Sequence, residues 1–274
     1  MATVTLPRSG DADTTPVPSG RVQRLIVTWQ HPESRDVSPI GILRYDGSEY
    51  TFEYLRTAAT VSGFRLLLGF PELGEKYTSG ELFPLFAQRA LDPSRPDYQR
   101  YVADLGLEDG ATPWEQISRS SGAREGDTLQ LFPVPRYTGE VWTCYILVHG
   151  MRYLLEKDVA FAGTIHEKYD PLHFEEVLED LAIGDSLIVE HERDNKFSRH
   201  ALLATTTGHE PLGWVPNWFA GEVFELQSSG ALEFSVDRVN PPEAGWHMRL
   251  VARMDAKCGA DFRFFTGENW LTYS

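Results

Sequence analysis

The chain has little cysteine and no long apolar run. Two of its 274 residues are cysteine, Cys144 and Cys258, and they stand far apart. Such a pair does not make the dense disulfide framework of small secreted domains, so we expect a reducing cytoplasm. No window reaches the eighteen apolar residues of a membrane-spanning helix, and residues 1–20 hold Pro, Ser, Thr and Gly where a signal peptide needs an apolar core. We therefore expect a disordered leader over residues 1–20 and no membrane contact.

Basic residues are also scarce. Lys and Arg number 25 against 40 Asp and Glu, which gives a net charge of −15. Residues 21–137 hold 13 basic against 16 acidic side chains, whereas residues 138–255 hold 9 against 20. Proteins that grip the DNA backbone without sequence preference show the opposite balance, because their affinity comes from neutralised phosphates. Any nucleic-acid contact must therefore be local.

Ligand sets for metals and nucleotides are missing as well. Neither the Gly-x-x-x-x-Gly-Lys-Ser/Thr loop nor the Gly-x-Gly-x-x-Gly loop occurs. His166 with His173, or Cys144 with His149, falls short of four ligands at zinc spacing. We expect no metal and no cofactor.

Two patterns that suggest catalysis have simpler interpretations. Glu175 and Glu179 share a predicted helix face, and a solvated surface explains them better than an acid–base pair. Residues 193–200 superficially resemble a kinase catalytic loop, but no phosphate-binding loop precedes them. We expect a protein without enzymatic activity.

Hydrophobic residues make up 42% of the chain, enough for two cores. The sequence predicts one domain over residues 21–137, a second over 138–255 joined by a linker at 133–139, and an aromatic tail over 256–274 that folds back or docks on a partner. The predicted class is α+β.

The first half predicts a mixed sheet with helices. Strands are expected at 24–29 and 128–132, and a hairpin over 40–54 turns at Asp46 and Gly47, which tolerate the positive φ of a tight turn. Helices are expected at 81–90, from Pro96 to Gly106, and from the capping box of Thr112 and Glu115 to Gly122.

The second half predicts a small antiparallel β-barrel. Strands are expected at 140–148, 187–189, 201–204, 232–236 and 246–254, with a helix at 173–181. A further helix carries Phe219, Val223 and Leu226 on one face. Alternation with a period of two in the last strand fits a barrel wall.

Several motifs in the first half resemble the N-terminal subdomain of HipA-type toxin kinases. They are the Pro-Ile-Gly at 39–41, Tyr-Thr-Phe-Glu-Tyr at 50–54, Leu-Phe-Pro-Leu-Phe at 82–86 with Arg89, Arg-Pro-Asp-Tyr at 95–98, and Gly122 before a Leu-Gln-Leu-Phe strand. The resemblance covers 24–135 and implies a regulatory lobe, which in split systems is a separate antitoxin chain. The catalytic domain of such kinases is absent from this sequence.

A strand and polar loop run from Ile183 to Leu203, and a Leu-Gly-Trp-Val-Pro turn at 212–216 opens the helix that follows. This pattern resembles the HIRAN domain, a small β-barrel, and the resemblance covers residues 141–253. The resemblance implies that an arginine–tyrosine pair and an Asn-Pro-Tyr-Asp type loop form a pocket for the 3′ end of single-stranded DNA. Arg152, Tyr153 and Asn195 match this pattern, with Phe197 for the usual tyrosine and Ser198 for the usual aspartate. The neighbouring Lys196, Arg199 and His200 supply positive charge for the same predicted site. A plain turn with solvated charges is the alternative interpretation of this loop.

Two hypotheses follow. In the first, a HipA-N-like regulatory domain is joined to a HIRAN barrel that senses single-stranded DNA ends. In the second, both domains contact protein alone, as a detached antitoxin lobe that partners a HipA-type kinase or a helix-turn-helix protein. The acidic balance and Ser198 favour the second.

Overall fold

A computed structural model describes residues 23–33, 37–122, 128–161, 163–193, 195–196, 198–227, 232–259 and 261–273. The predicted leader at 1–20 and the predicted site residue Phe197 lie outside these ranges. Within them, no helix is long and apolar enough to cross a bilayer.

The first half is a five-stranded sheet with three short helices. In chain order its elements are β1 Gln23–Gln30, β2 Val37–Tyr45, β3 Tyr50–Tyr54, β4 Tyr77–Ser79, α1 Pro84–Ala87, α2 Tyr98–Asp104, α3 Pro113–Ser120 and β5 Leu129–Pro133. The sheet order is β4-β3-β2-β1-β5. All its described pairings are antiparallel, so the prediction of a mixed sheet is wrong. Each strand of the run β1 to β4 reverses onto its predecessor, and β5 returns from the helices against β1.

The local signals of this half hold at residue level. The carboxylate of Asp46 accepts hydrogen bonds from the backbone N–H groups of Ser48 and Glu49, and Gly47 has a φ of 103°. The hydroxyl of Thr112 accepts from the backbone N–H of Glu115 at 3.2 Å, and the Glu115 carboxylate accepts from the backbone N–H of Thr112 at 2.7 Å. The predicted hairpin and capping box are confirmed.

The second half is a seven-stranded antiparallel sheet that curls into a half-barrel. Its elements are β6 Arg136–Tyr137, β7 Trp142–Leu147, α4 Met151–Leu154, β8 Val159–Phe161, β9 Thr164–His166, α5 Pro171–Glu179, β10 Ser186–His191, β11 Leu202–Thr205, β12 Pro211–Trp214, α6 Asn217–Gln227, β13 Leu232–Val239 and β14 Leu250–Ala256. The strand order is β12-β11-β10-β13-β14-β7-β6, and β8 pairs with β9 separately. Strand β6 falls inside the predicted linker.

The last strand is displaced from its predicted range of 246–254. It begins at Leu250, because a turn with Gly245 at a φ of 76° and a backbone bond from Met248 N–H to the Gly245 carbonyl holds the preceding residues. Arg249 is only 2% exposed; it donates to the Asn240 carbonyl and binds the Glu175 carboxylate. The polar position at Arg249 in the predicted strand therefore belongs to a buried ion pair, whereas the alternation from Leu250 onward belongs to strand β14.

The open side of the half-barrel is crossed at one described point. His149, two residues after β7, exchanges two backbone hydrogen bonds with Trp214 at the end of β12, at 2.9 and 2.8 Å. This pair brings the segment after β7 beside the segment after β12, and α4 follows immediately.

The two halves share an extensive contact. Phe132 of β5 stacks on Trp218 of α6 with ring centroids 4.3 Å apart, and Ile26 of β1 belongs to the core of the half-barrel. The aromatic tail folds back on both halves: Phe264 is buried in the half-barrel core, while Thr272 pairs with Leu55 just after β3. The tail therefore connects the core of the half-barrel to the residue that follows β3 of the first sheet.

Candidate nucleic-acid interface

Arg152 and Tyr153 lie on α4, the single helical turn that follows His149 and its backbone pairing with Trp214. Gly150 starts this turn with a φ of 74°, which a residue with a side chain adopts only with strain. The Arg152 side chain is 78% exposed and bonds Glu156 at 3.2 Å. The Tyr153 ring meets the Trp214 ring edge-on, with centroids 5.6 Å apart. The Arg152 side chain thus points to solvent, whereas the half-buried Tyr153 ring forms a wall of the site.

Trp214 and Glu192 join this wall to the second part of the predicted site. The indole N–H of Trp214 donates to Oε2 of Glu192 at 2.6 Å. The same carboxylate oxygen accepts from the Asn195 amide at 2.7 Å. A continuous set of contacts therefore runs from Tyr153 through Trp214 and Glu192 to the loop at 195–200.

The Asn195 amide organises that loop from within. Its oxygen accepts a hydrogen bond from the Ser198 backbone N–H at 2.9 Å while its nitrogen donates to Glu192. The Ser198 hydroxyl in turn accepts from the His200 backbone N–H at 3.3 Å. Asn195 and Ser198 thus shape a turn, which leaves the exposed side chains of Lys196 and Arg199 around it.

His200 packs against the half-barrel. Its ring stacks on the Phe224 ring of α6 with centroids 5.0 Å apart. The His191 ring meets the same Phe224 ring edge-on, at 4.8 Å. Nε2 of His191 pairs with the Arg199 carbonyl at 2.8 Å. The imidazole of His200 is therefore part of the support of the loop.

The site is of mixed charge. Four exposed cations, Arg152, Lys157, Lys196 and Arg199, stand on the same two chain segments as the carboxylates of Glu156 and Glu192. Lys157 also approaches the Tyr153 ring, at 5.1 Å from its centroid. The cations are few and stand among carboxylates, so the described residues of this surface form no continuous basic track.

The imidazole of His149, whose backbone pairs with Trp214, has a shifted pKa. Burial lowers the pKa of His149 from 6.5 to about 4, and the nearby His247 adds a smaller lowering. The imidazole of His149 is thus neutral at pH 7.

The other candidate residues lie apart from this site. His166 stacks on Phe161, whereas His173 pairs with Glu176 at 3.5 Å. Burial raises the pKa of the Cys144 thiol to about 12. Glu175 binds Arg249, which explains why it stands on the inner side of α5. Among the described residues, no three His, Cys, Asp or Glu side chains come together as metal ligands.

Seven of the eight predicted site residues lie in the described part of the site, whereas Trp214 and Glu192 were not predicted. Trp214 stands in the Gly-Trp-Val-Pro turn, where an apolar residue just before a helix is expected to pack in the core. Glu192 reads as one charge among many at the end of β10. Neither residue has a sequence signal for the hydrogen bond between them, because that bond depends on the pairing of β12 with His149.

No family model matches the chain, and no curated protein matches it. Two solved structures resemble part of it. A protein from Lactobacillus plantarum is 18% identical over 41% of this chain and 91% of its own, with a TM-score of 0.29. The HIRAN domain of human HLTF is 12% identical over 44% of this chain and 81% of its own, with a TM-score of 0.28. With scores this low, the fold rests on the strand pairings described above.

Proposed function

We propose that the chain binds the end of a single DNA strand between α4 and the loop at 195–200. The observation that supports this most is the contact path Tyr153, Trp214, Glu192 and Asn195, which unites two segments some forty residues apart in sequence. A structural turn alone needs no aromatic wall and no exposed guanidinium beside it.

Each group has a task in this proposal. A terminal base stacks on the half-buried rings of Tyr153 and Trp214, since every base has a π-face. Arg152, Lys196 and Arg199 take the last phosphates through charge-assisted hydrogen bonds.

Glu192 fills the acidic role that Ser198 leaves vacant. Its Oε2 atom is engaged by Trp214 and Asn195, and Oε1 accepts no hydrogen bond from the described residues. A free 3′ hydroxyl would donate to Oε1, whereas a 3′ phosphate would be repelled by the carboxylate.

Binding without catalysis is part of the proposal, with the first half acting as a regulatory lobe. A second candidate, contact with a HipA-type kinase or a helix-turn-helix protein, is favoured by one feature of that half. Leu68 is 88% exposed and Leu66 is 40% exposed, and both lie on the segment between β3 and β4. The two leucines offer exposed apolar area that a protein partner would cover. Co-purification of wild type and Leu68→Ser with such a partner tests this candidate; equal recovery of both would contradict it.

Fluorescence anisotropy with short oligonucleotides tests the first candidate. We expect Arg152→Ala and Phe197→Ala to weaken binding, and Tyr153→Ala to cost ~1–3 kcal/mol through lost stacking. Glu192→Gln keeps an acceptor for Trp214 and removes the charge, so it should abolish the preference for a 3′ hydroxyl over a 3′ phosphate. Arg95→Ala, an exposed arginine paired with Asp97 in the first half, is the matched control. Equal affinity of wild type for all ends would refute the proposal.

A further inference from the structure

The outer edge of the first sheet continues past the end of β4. Leu55, which follows β3, donates its N–H to the Ile40 carbonyl of β2 at 2.9 Å. Successive residues of an extended chain direct their backbone groups to opposite edges, so the Tyr54 carbonyl and the Arg56 N–H point away from β2. On that side β4 pairs with residues 50–52 and reaches no further. Residues 54–56 therefore form a strand edge beyond β4, which we call the docking edge.

The tail covers the docking edge as an added strand. The Tyr54 carbonyl accepts a hydrogen bond from the Tyr273 N–H at 3.4 Å, and the Arg56 N–H donates to the Leu271 carbonyl at 2.9 Å. Between these two bonds, Nε of the Arg56 guanidinium donates to the Thr272 carbonyl at 3.0 Å. All three bonds use backbone groups of the tail, so the docking edge binds residues 271–273 as an extended strand.

The tail is buried at one end and half-exposed at the other. Phe264 and Phe265 are 1% and 8% exposed in the half-barrel, and the Phe265 N–H donates to the Glu222 carboxylate of α6 at 3.3 Å. Leu271 and Tyr273, in contrast, remain 45% and 39% exposed on the docking edge. Because residues 271 and 273 bury less apolar surface, this end of the tail opens at a lower free-energy cost than the half-barrel core.

A single 3-10 turn separates the two ends of the tail. The Trp270 N–H donates to the Gly267 carbonyl at 3.1 Å, and the Leu271 N–H donates to the Glu268 carbonyl at 3.3 Å. If this turn unwinds, residues 266–270 extend to at most roughly 17 Å. Residues 271–273 then reach outward while Phe264 stays in its own half-barrel.

We propose that the docking edge binds the tail of a second copy of this chain, so that two copies exchange residues 271–273 and form a dimer. The incoming segment is identical to the segment already seated there, so it makes the same hydrogen bonds. Exchange of an identical element between copies is a low-cost route to a dimer. In both the monomer and the dimer the docking edge stays covered, which protects it from pairing with unrelated strands. The exchange involves no DNA and stands independently of strand-end binding.

Disulfide trapping between two full-length chains tests the exchange. Leu55 and Thr272 face each other as antiparallel partners whose neighbours make the hydrogen bonds, and side chains stand closest in such a pair. One chain carries Leu55→Cys and the other Thr272→Cys, both with Cys258→Ser, and a tag on one chain identifies the heterodimer by mass. We expect a covalent heterodimer after oxidation. Ala103→Cys, at an exposed position on α2, replaces Leu55→Cys in the matched control and should give little heterodimer.

Sedimentation of the chain without added cysteines gives a second reading, which does not depend on the folding of Leu55→Cys. Each copy has a net charge of −15, so salt should increase the share of dimer by screening the repulsion between copies. Tyr273→Pro removes the N–H that bonds Tyr54 and should abolish the dimer, whereas Tyr273→Phe keeps that N–H and should dimerise like wild type.

Three outcomes would overturn the exchange. The first is a heterodimer yield no greater than that of the Ala103→Cys control. The second is a dimer that persists in Tyr273→Pro, because it would use another interface. The third is a wild-type chain that stays monomeric at every salt concentration but binds a synthetic peptide of residues 266–274, because the docking edge would then serve a strand of another protein.

Discussion

Among single residues, His149 links the stability of the half-barrel to pH. Its pKa is about 4 in the folded chain and 6.5 in the unfolded one, so between these values the unfolded state binds a proton that the folded state does not. The stabilisation is complete above about pH 6.5 and is lost as the pH falls towards 4. The pKa difference corresponds to at most about 3 kcal/mol in the free energy of unfolding. The actual change is smaller, because His149 keeps some exposure to solvent.

Urea unfolding at pH 7, 6 and 5 measures this effect. Carboxylates lose stabilising contacts in acid as well, so the informative quantity is the difference between wild type and His149→Gln. We expect the variant to lose less stability than wild type from pH 7 to 5. Parallel losses would show that His149 does not titrate in this way.

Trp214 supplies a second residue-scale prediction, on the role of its indole N–H. Trp214→Phe keeps a ring against Tyr153 and removes the hydrogen bond to Glu192. We expect a loss of roughly 1 to 3 kcal/mol in the free energy of unfolding, because a partly buried charged acceptor loses one of its two donors. Tyr153→Phe, which keeps the ring and removes only a hydroxyl, is the control in the same urea titration. An unchanged stability of Trp214→Phe would contradict this role.

At the scale of elements, the turn at Gly150 positions α4. A Cβ at this position would lie 2.6 Å from Cε3 of Trp214, and the φ is 74°. Gly150→Ala should therefore cost more than the ~1 kcal/mol expected of backbone strain alone, and it should weaken oligonucleotide binding because Trp214 must move.

Gly184→Ala is the matched control, since Gly184 has a φ of 91° and open space where a Cβ would stand. It carries the strain without the collision. We expect a smaller loss of stability in Gly184→Ala than in Gly150→Ala, and unchanged oligonucleotide binding. Equal effects in the two variants would show that the contact with Trp214 is unimportant.

Elements with local signals could be predicted from the sequence, and elements fixed by distant contacts could not. The capping box at Thr112 and the turn at Asp46 hold their own backbone groups, so the signal and the structure lie in the same few residues. Strands β6 and β12 and helix α4 are two to four residues long, too short for a period to show. Strand β6 pairs with β7, and β12 pairs with β11 and bridges to His149, so these strands depend on distant partners.

The candidate site follows the same division. The resemblance to a known family selected Arg152, Tyr153 and the loop at 195–200 as separate segments. Their connection through Trp214 and Glu192 depends on a bridge between residues 149 and 214, which no local pattern encodes.

At the scale of the whole molecule, the halves should unfold together. Phe132 of the first half stacks on Trp218 of the second, and the tail runs from Phe264 in the half-barrel core to Thr272 beside Leu55 of the first half. We expect tryptophan fluorescence and far-UV circular dichroism to report one transition in urea. A double-mutant cycle of Phe132→Leu and Trp218→Leu should give a coupling of about 0.5 to 1.5 kcal/mol. Two separated transitions would contradict this view.

The central claim is that one local pocket binds the end of a single strand. Arg152, Lys196 and Arg199 are the exposed cations proposed to bind phosphate, and the half-barrel around them is acidic. Titration of a trinucleotide and a 20-mer at several salt concentrations tests the claim most directly. With roughly two or three phosphate contacts at about −0.7 each, log affinity should fall with log salt at a slope near −1.4 to −2.1, and both lengths should bind about equally. A much steeper slope, or affinity that climbs strongly with length, would reveal a long basic track and contradict the pocket.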